Sequence, residues 1–361
     1  MIKIGIEATT LCTPNKSGIA QYAASLLEAL SDDKEFKENY EIELLYKLSR
    51  FKKRKYCYNT SKYPPKWHFK GLLPLIKNYQ IVHSLDNIFL DFRKVKKIVS
   101  VYDLAIFKEE NNFEGYTDEA FKNKTYSFLK NVTKKADAII AISESTKKDL
   151  LHYFNFPEEK VFVTHLGVRL PKIFESNSGI LEKHSLETKK YFLFAGMISI
   201  RKNLLNLIKA YKESGMHKEY KLVLSGGASM GYDTIIAEVK KAGLEKNVLF
   251  PGFVSDNELS DLFINAKAFL FPTFYEGFGM PIIEAMHYNV PVLIGDRGAA
   301  PEVADNHAIL SNPFDVDSIA DGIKKVATMN DLSISNAANH AAKFTWEKCA
   351  KETMAVYNKI R

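Results

Sequence analysis

The feature that most constrains the fold is a repeated alternation of short apolar segments with amphipathic ones. "IKIGIEA" at the start has the pattern of a strand, and "GIAQYAASLLEAL" follows with apolar residues at helical spacing. Further short apolar runs come at "YEIELLYK", "YQIVHSL", "KIVSVYDLAIF" and "ADAIIAISES". Such runs are typical of parallel strands that are buried on both faces.

The same alternation restarts at "YFLFAGMIS" and continues through "KLVLSGG", "NVLFPGF", "AFLFPT" and "VPVLIGD". The chain has 361 residues, 46% of them hydrophobic, which is enough for two domains with their own cores. We therefore predict an α/β protein with two Rossmann-like, doubly wound parallel-sheet domains that face a central cleft. The predicted domains are 1–172 and 191–344, joined by a polar linker region at 173–190.

Three cysteines are too few and too widely spaced for a disulfide framework or a zinc site, which favours a reduced, cytoplasmic setting: Cys12, Cys57 and Cys349. The N-terminus has no signal-peptide pattern, and no apolar run reaches spanning length. We therefore expect any membrane contact to be peripheral, at the inner face of the cell membrane.

The segment "TFYEGFGMPIIEAM" joins a predicted strand to a predicted helix. Gly277 and Gly279 allow a sharp turn, and Pro281 suits the first helical position, where no N–H is missed. A helix start presents free backbone N–H groups and the positive end of its dipole to an anion. The carboxylates of Glu276 and Glu284 beside it suit sugar hydroxyls. Taken separately, the glycines are explained as well by the turn, and Glu284 by the helix dipole.

Two more predicted strand–helix corners suit an anion. Arg201 and Lys202 follow a strand and a glycine loop, where adjacent cations can neutralise a diphosphate, although a solvated pair explains them equally well. Gly18 lies between the first strand and the first helix. A glycine there allows an anion to approach closely, but an ordinary tight turn explains it equally well.

Asp103 and His83 each end an apolar run. Each is a candidate base or hydroxyl ligand, and each has an equally good explanation as a structural residue. No His-Glu-x-x-His or Cys-x-x-Cys motif occurs, so we predict no metal and no cofactor.

A basic stretch at 47–77 contains no Asp or Glu and mixes cations with aromatic residues. This composition suits an anionic membrane surface, and also single-stranded RNA or a merely solvated face. The basic residues of this stretch are Lys47, Arg50, Lys52, Lys53, Arg54, Lys55, Lys62, Lys66, Lys70 and Lys77.

The segment "PTFYEGFGMPIIEAMHYNVPVL" resembles the signature of retaining glycosyltransferases of family 4, which have the GT-B fold. That signature is two glutamates separated by seven residues, here Glu276 and Glu284. The resemblance covers nearly the whole chain, through "SGIAQYAASLLEAL", "ADAIIAISESTKKDL", "FAGMISIRKNL", "PGFVSDNELSDLF", "GAAPEV" and "FTWEKCAKETMAVY". The last segment is similar to a helix, at about 345–361, that returns to the N-terminal domain.

The resemblance implies a role for each matching residue. Glu284 binds ribose hydroxyls and Glu276 binds the donor sugar, while Arg201 and Lys202 hold the diphosphate. Backbone N–H groups near Phe278, Gly279 and Met280 bind sugar or phosphate oxygens, Phe253 lies in the base-binding loop, and Gly18 lets the N-terminal loop close on the diphosphate. The implied catalytic residues are Glu276, Asp103, Arg201 and Lys202.

The implied activity is a metal-independent, retaining transfer of a sugar from a nucleotide-diphosphate sugar to a glycan or lipid-linked acceptor in surface polysaccharide assembly. We favour GDP-mannose, with a UDP-sugar donor as the alternative. A nucleotide-sugar epimerase is a further rival, and a nucleic-acid-binding protein is disfavoured. Tyr102 replaces the family's common His, which leaves the acceptor-side chemistry open, and Asn289 replaces a glycine at a position that needs a left-handed backbone.

Overall fold

The computed structural model describes residues 1–14, 17–69, 79–92, 94–111, 116–168 and 178–361. They form two compact units. The first unit comprises Met1–Leu104, Glu119–Arg169 and Thr345–Arg361, and the second comprises Ala105–Asp118 and Leu170–Phe344. Each unit is built on one parallel sheet, so the predicted pair of doubly wound α/β domains is confirmed.

The first unit contains a seven-stranded parallel sheet in the order β3-β2-β1-β4-β5-β6-β7. Buried β-branched and aliphatic residues dominate its central strands, as in Ile4, which lies between Ile42 and Ile81. The strand order reverses between β1 and β4, and the carboxyl ends there form the crevice where such sheets bind ligands. The strands are β1 (Ile2–Glu7), β2 (Tyr40–Lys47), β3 (Lys66–His68), β4 (Ile81–Ser84), β5 (Lys96–Val101), β6 (Ala138–Ala141) and β7 (Val161–Val163).

Four helices of the first unit precede the second sheet in the chain: α1 (Gly18–Asp32), α2 (Lys34–Asn39), α3 (Glu119–Lys135) and α4 (Glu144–Tyr153). The Ser17 side chain caps α1 by accepting a hydrogen bond from the Ala20 N–H. The cap fixes where α1 begins, directly after the loop that follows β1.

The second unit contains a six-stranded parallel sheet in the order β10-β9-β8-β11-β12-β13. Its order reverses between β8 and β11, so the loops after these two strands meet at one edge of the sheet. The strands are β8 (Tyr191–Ala195), β9 (Lys221–Ser225), β10 (Val248–Gly252), β11 (Ala268–Phe271), β12 (Val292–Gly295) and β13 (Ile309–Ser311). The helices are α5 (Ile180–Lys183), α6 (Leu204–Glu213), α7 (Tyr232–Ala242), α8 (Asp256–Asn265), α9 (Met280–His287), α10 (Ala300–Ala304), α11 (Val316–Ala327) and α12 (Asp331–Ala341).

The last helix, α13 (Trp346–Ile360), returns to the first unit. Trp346 packs against Tyr22 of α1 with ring centroids 6.0 Å apart, and the Tyr357 hydroxyl lies 2.8 Å from His83 Nδ1. At the start of α13 the backbone passes close to Gly167, where an added Cβ would lie 2.3 Å from the Trp346 nitrogen. Only glycine permits this approach.

Two short segments pack with the second unit. Ala105, Ile106 and Tyr116 form a buried cluster with Phe274 and Tyr275, which explains why 105–118 belongs there although the sequence places it after β5. The described part of the predicted linker, 178–190, contains α5 and is tied to α8, where Asp261 accepts a hydrogen bond from the Ser178 N–H at 2.6 Å. Residues 173–177 of that linker lie outside the described residues.

None of the described helices is both long enough and apolar enough to cross a bilayer.

Candidate active site

Lys202 and Glu276 meet at the strand-order reversal of the second sheet. Lys202 follows β8 and Glu276 follows β11, and Lys202 Nζ lies 2.7 Å from Glu276 Oε1. Both side chains are largely buried, with 26% of Lys202 and 12% of Glu276 exposed. A charge-assisted contact in such a partly desolvated setting fixes both side chains in position.

The main chain of Glu276 is held by the loop after β12. The Ala299 N–H donates to the Glu276 carbonyl at 2.9 Å. Gly298 has φ +66°, and a Cβ there would lie 2.6 Å from the same carbonyl oxygen. The loop therefore needs glycine at 298, both for its backbone conformation and for the close approach.

The start of α9 forms the corner predicted from the sequence. Gly279 adopts φ +98° and precedes the helix, and Pro281 lies in its first turn. Among the described residues, no protein acceptor takes a hydrogen bond from the Gly279 or Met280 N–H. These two donors and the positive end of the α9 dipole are therefore available to an anion.

Glu284 lies one turn further along α9 and is partly buried. Burial raises the pKa of its carboxyl group to about 7, and the nearby Asp256 charge adds to this effect. Among the described residues the carboxylate makes no hydrogen bond. It is a desolvated acceptor whose hydrogen-bonding capacity is available to a ligand hydroxyl.

Arg201 lies beside Lys202 and has its guanidinium 5.1 Å from the centre of the Tyr116 ring. Asn203 holds the end of this loop, because its side-chain amide donates to the Pro272 carbonyl at 2.8 Å and to the Pro313 carbonyl at 2.6 Å. Asn203 is 1% exposed and has φ +60°. It ties the Arg201–Lys202 loop to the end of β11.

The two phenylalanines predicted to lie in the donor site, Phe253 and Phe278, have different environments. Phe253 follows β10 and is 88% exposed, so its ring is available for stacking. Phe278 is 3% exposed and packs against Phe344 with ring centroids 5.8 Å apart. The Phe278 side chain supports the corner from within, and only its backbone is suited to a ligand.

The remaining candidates lie in the first unit. Gly18 is exposed at the start of α1, and Asp103 is half-buried just after β5. His83 is fully buried, with Nε2 2.9 Å from Ser100 Oγ, and burial lowers its pKa to about 3. These contacts favour the structural explanation of His83. Tyr102, at the position of the family's His, donates its hydroxyl to the Leu85 carbonyl at 2.5 Å.

A polar cavity of about 600 Å³ lies at the carboxyl ends of β1, β2 and β4 in the first unit. Single hydroxyl residues in loops carry no recognisable motif, so the sequence does not predict this cavity. Its lining combines hydroxyls, two cations and one carboxylate: Thr9, Thr10, Cys12, Thr13, Ser17, Lys47, Ser49, Arg50, Asp86 and Ile88. Such a lining suits a hydroxyl-rich ligand.

The described part of the basic stretch is 47–69, and 70–77 lies outside the described residues. A 3₁₀ segment at Leu48–Tyr56 has no buried residue. Leu48 is 46% exposed and Phe51 is 44% exposed, with the Arg54 guanidinium 4.9 Å from the Phe51 ring centre. Cations and apolar side chains therefore share one accessible surface.

Two family models match the chain and together cover most of it. The model described as "Glycosyl transferases group 1" matches residues 179–343. The model described as "Glycosyltransferase Family 4" matches residues 17–171.

Similar proteins include two mannosyltransferases. O-antigen chain mannosyltransferase B from Escherichia coli is 28% identical over 285 residues, which cover 75% of this chain and 72% of that protein. O-antigen chain mannosyltransferase RfbU from Salmonella typhimurium is 29% identical over 251 residues, which cover 69% of this chain and 65% of that protein.

Similar solved structures include sucrose-phosphate synthase from Thermosynechococcus elongatus, with a TM-score of 0.74 at 16% identity over 100% of this chain and 99% of that one. HepE from Anabaena, in complex with UDP and glucose, gives a TM-score of 0.73 at 16% identity over 99% of this chain and 100% of that one. At these identities the likeness is one of fold, and it confirms the predicted fold class.

Proposed function

The chain belongs to family 4 of the glycosyltransferases, and from this premise we propose that it transfers a sugar from a nucleotide-diphosphate sugar to a glycan or lipid-linked acceptor in surface polysaccharide assembly. GDP-mannose is the donor we favour. The names of the two similar O-antigen mannosyltransferases support mannose as the donor sugar and surface polysaccharide as the product. A UDP-sugar is the alternative donor.

The observation that carries the proposal is the convergence of anion donors and carboxylates at the α9 corner. The N–H groups of Gly279 and Met280, with Arg201 and Lys202, suit a diphosphate. We assign Glu284 to the ribose hydroxyls, because its partly buried carboxylate has no hydrogen bond to a described residue. We assign Glu276 to the donor sugar, and exposed Phe253 to the base.

The transfer we propose retains the configuration at the anomeric carbon and uses no enzymic nucleophile. The leaving diphosphate stays on the same face as the incoming hydroxyl and accepts its proton. Lys202, Arg201 and the α9 N–H groups stabilise the negative charge that develops on the diphosphate. This charge stabilisation needs no metal ion. Glu276, already paired with Lys202, acts by positioning the donor sugar.

The acceptor side belongs to the first unit in this proposal. Asp103 binds the acceptor hydroxyl or assists its deprotonation, and Gly18, exposed at the start of α1, is assigned to donor binding. The polar cavity near Thr9, Lys47 and Asp86 is suited to glycan hydroxyls.

We further propose that the basic stretch binds an anionic membrane surface, where a lipid-linked acceptor would be found. The exposed side chains of Leu48 and Phe51, beside exposed lysines, support this choice over a purely solvated face.

The test is a thermal-shift panel of GDP-, UDP-, ADP- and dTDP-sugars, followed by product analysis by NMR with the donor selected. A ligand that binds only the folded state raises the melting temperature, and GDP-mannose is expected to raise it most. The one-bond C1–H1 coupling constant of the new glycosidic linkage then reports the anomeric configuration. A product with inverted configuration would overturn retention, and loss of activity in EDTA that added Mg²⁺ restores would overturn metal independence.

A further inference from the structure

Asp305, His307 and His340 form a cluster of ligating side chains in the second unit, apart from the carboxylates and cations of the α9 corner. Asp305 and His307 lie in the turn after α10, and His340 lies in the last turn of α12. One ligating atom from each residue lies within 4.8 Å of those of the other two. The imidazole rings of His307 and His340 have their centroids 5.0 Å apart and their planes tilted by 37°.

His340 is held in the orientation of a metal ligand. Its Nε2 lies 2.8 Å from the Val303 carbonyl, and because a carbonyl only accepts, Nε2 carries the proton. The neutral ring therefore has its lone pair on Nδ1. A hydrogen bond from the second ring nitrogen to a carbonyl is the arrangement that fixes metal-bound histidines.

The Nδ1 atom of His340 lacks a hydrogen bond to any described residue, although only 8% of the side chain is exposed. Its neighbour, Asp305 Oδ2, is 3.8 Å away, which is too far for a hydrogen bond but close to the separation of two ligands on one ion. A buried acceptor of this kind normally has a partner. A cation between Nδ1, Asp305 and His307 supplies one.

We propose that Asp305, His307 and His340 bind a divalent transition-metal ion, and Zn²⁺ fits this ligand set best. Two imidazoles and one carboxylate are a known zinc combination, with the fourth position left to water. Asp305 is 62% exposed, so its side chain is free to move the short distance that closes the site. These ligands come from two separate elements and form no contiguous motif, and the sequence therefore predicts no metal.

The ion would tie α12 to α10. α10 follows directly after Ala299, whose N–H holds the Glu276 carbonyl, and Phe344 after α12 packs on Phe278. The metal is thus a structural clamp behind the donor corner and takes no part in sugar transfer.

The test is isothermal titration of the untagged, EDTA-treated and dialysed protein with Zn²⁺ at pH 7.5, alongside Co²⁺ titration followed by visible absorption. We expect one Zn²⁺ per chain, a tetrahedral Co²⁺ spectrum and a Zn²⁺-dependent rise in melting temperature. His307→Asn, on a partly exposed side chain, should weaken binding at least ~10-fold, as should His340→Gln, whose amide keeps a donor for Val303.

His152→Asn is the matched control, because His152 is exposed on α4 of the first unit. It should bind Zn²⁺ as the wild-type protein does. The proposal would be overturned by unchanged Zn²⁺ affinity in both His307→Asn and His340→Gln. It would also be overturned by an equal loss of affinity in His152→Asn, or by wild-type protein that binds no stoichiometric Zn²⁺.

Discussion

Lys202 Nζ donates to Glu276 Oε1 across 2.7 Å, and this contact joins the loops that follow β8 and β11. Each partner also has a proposed ligand of its own, a phosphate for Lys202 and a sugar hydroxyl for Glu276. The pair keeps a cation and a carboxylate at adjacent positions before the donor arrives. Donor binding then extends an existing network and does not have to assemble one.

Replacing Lys202 by Ala is predicted to reduce kcat by about 100-fold, because removal of one donor to a developing oxyanion typically costs 10²–10³ in rate. KM for the donor should change less. Steady-state kinetics with the selected donor checks this. Lys209→Ala, an exposed lysine on α6, is the control and should leave kcat unchanged. An unaltered kcat in Lys202→Ala would remove Lys202 from the mechanism.

Glu284→Gln is predicted to stabilise the ligand-free protein at pH 8 but not at pH 5. The raised pKa, about 7 against an ordinary 4.5, means that the folded protein holds this proton more tightly than the unfolded chain. Glu284 therefore lowers the free energy of unfolding as pH rises from about 4.5 to 7. Gln has no such ionisation.

Melting temperatures of wild type and Glu284→Gln, measured from pH 5 to pH 8, check the prediction. Glu245→Gln, at an exposed position, serves as the control. A melting-temperature difference that is the same at pH 5 and pH 8 would contradict the raised pKa.

Gly298→Ala is predicted to damage the donor corner. The added Cβ would lie 2.6 Å from the Glu276 carbonyl oxygen, at a backbone φ of +66°. Strain of this kind costs about 1–3 kcal/mol. We expect a lower melting temperature together with a higher KM for the donor. Gly215→Ala is the control, because it has φ +75° but no atom within 4 Å of the added Cβ. If the two variants raise KM equally, the close approach at Gly298 is unimportant.

Lys52→Ala with Lys53→Ala is predicted to weaken binding to phosphatidylserine-containing vesicles about 30-fold, since each basic residue near an anionic surface contributes about 1 kcal/mol. Vesicle co-sedimentation at two salt concentrations measures this. Lys240→Ala with Lys241→Ala removes equal charge from the exposed side of α7 and should have little effect. Equal losses in the two double variants would show that charge alone, without a dedicated surface, governs binding.

The sequence predicts the strands and the α9 corner well because both have strong local signals. Buried parallel strands are continuous apolar runs, and glycine with proline marks a helix start. Asn289 also behaves as predicted, with φ +56° after the end of α9. By contrast, α3 (Glu119–Lys135) is rich in lysine and buries only Leu129 and Val132, so its apolar face is too sparse to predict.

Contacts between distant loops are the part that sequence reasoning misses. In the sequence, "GAAPEV" is identified only by its resemblance to the family. The hydrogen bond from its Ala299 N–H to the Glu276 carbonyl follows from the pairing of β11 with β12. The two hydrogen bonds of Asn203 to Pro272 and Pro313 join three loops that are far apart in the chain. Packing of this kind depends on the assembled sheet and leaves no periodic pattern.

The most direct test of the nucleotide-sugar site is calorimetric titration of wild type, Glu284→Ala and the control Glu245→Ala with the nucleoside diphosphate of the selected donor. Glu284→Ala is predicted to weaken binding of the nucleoside diphosphate about 10- to 100-fold, because hydrogen bonds to a charged group are worth about 1.5–3 kcal/mol. Circular dichroism should show an intact fold, and Glu245→Ala should bind as wild type does. Unchanged nucleotide affinity in a folded Glu284→Ala protein would contradict the site.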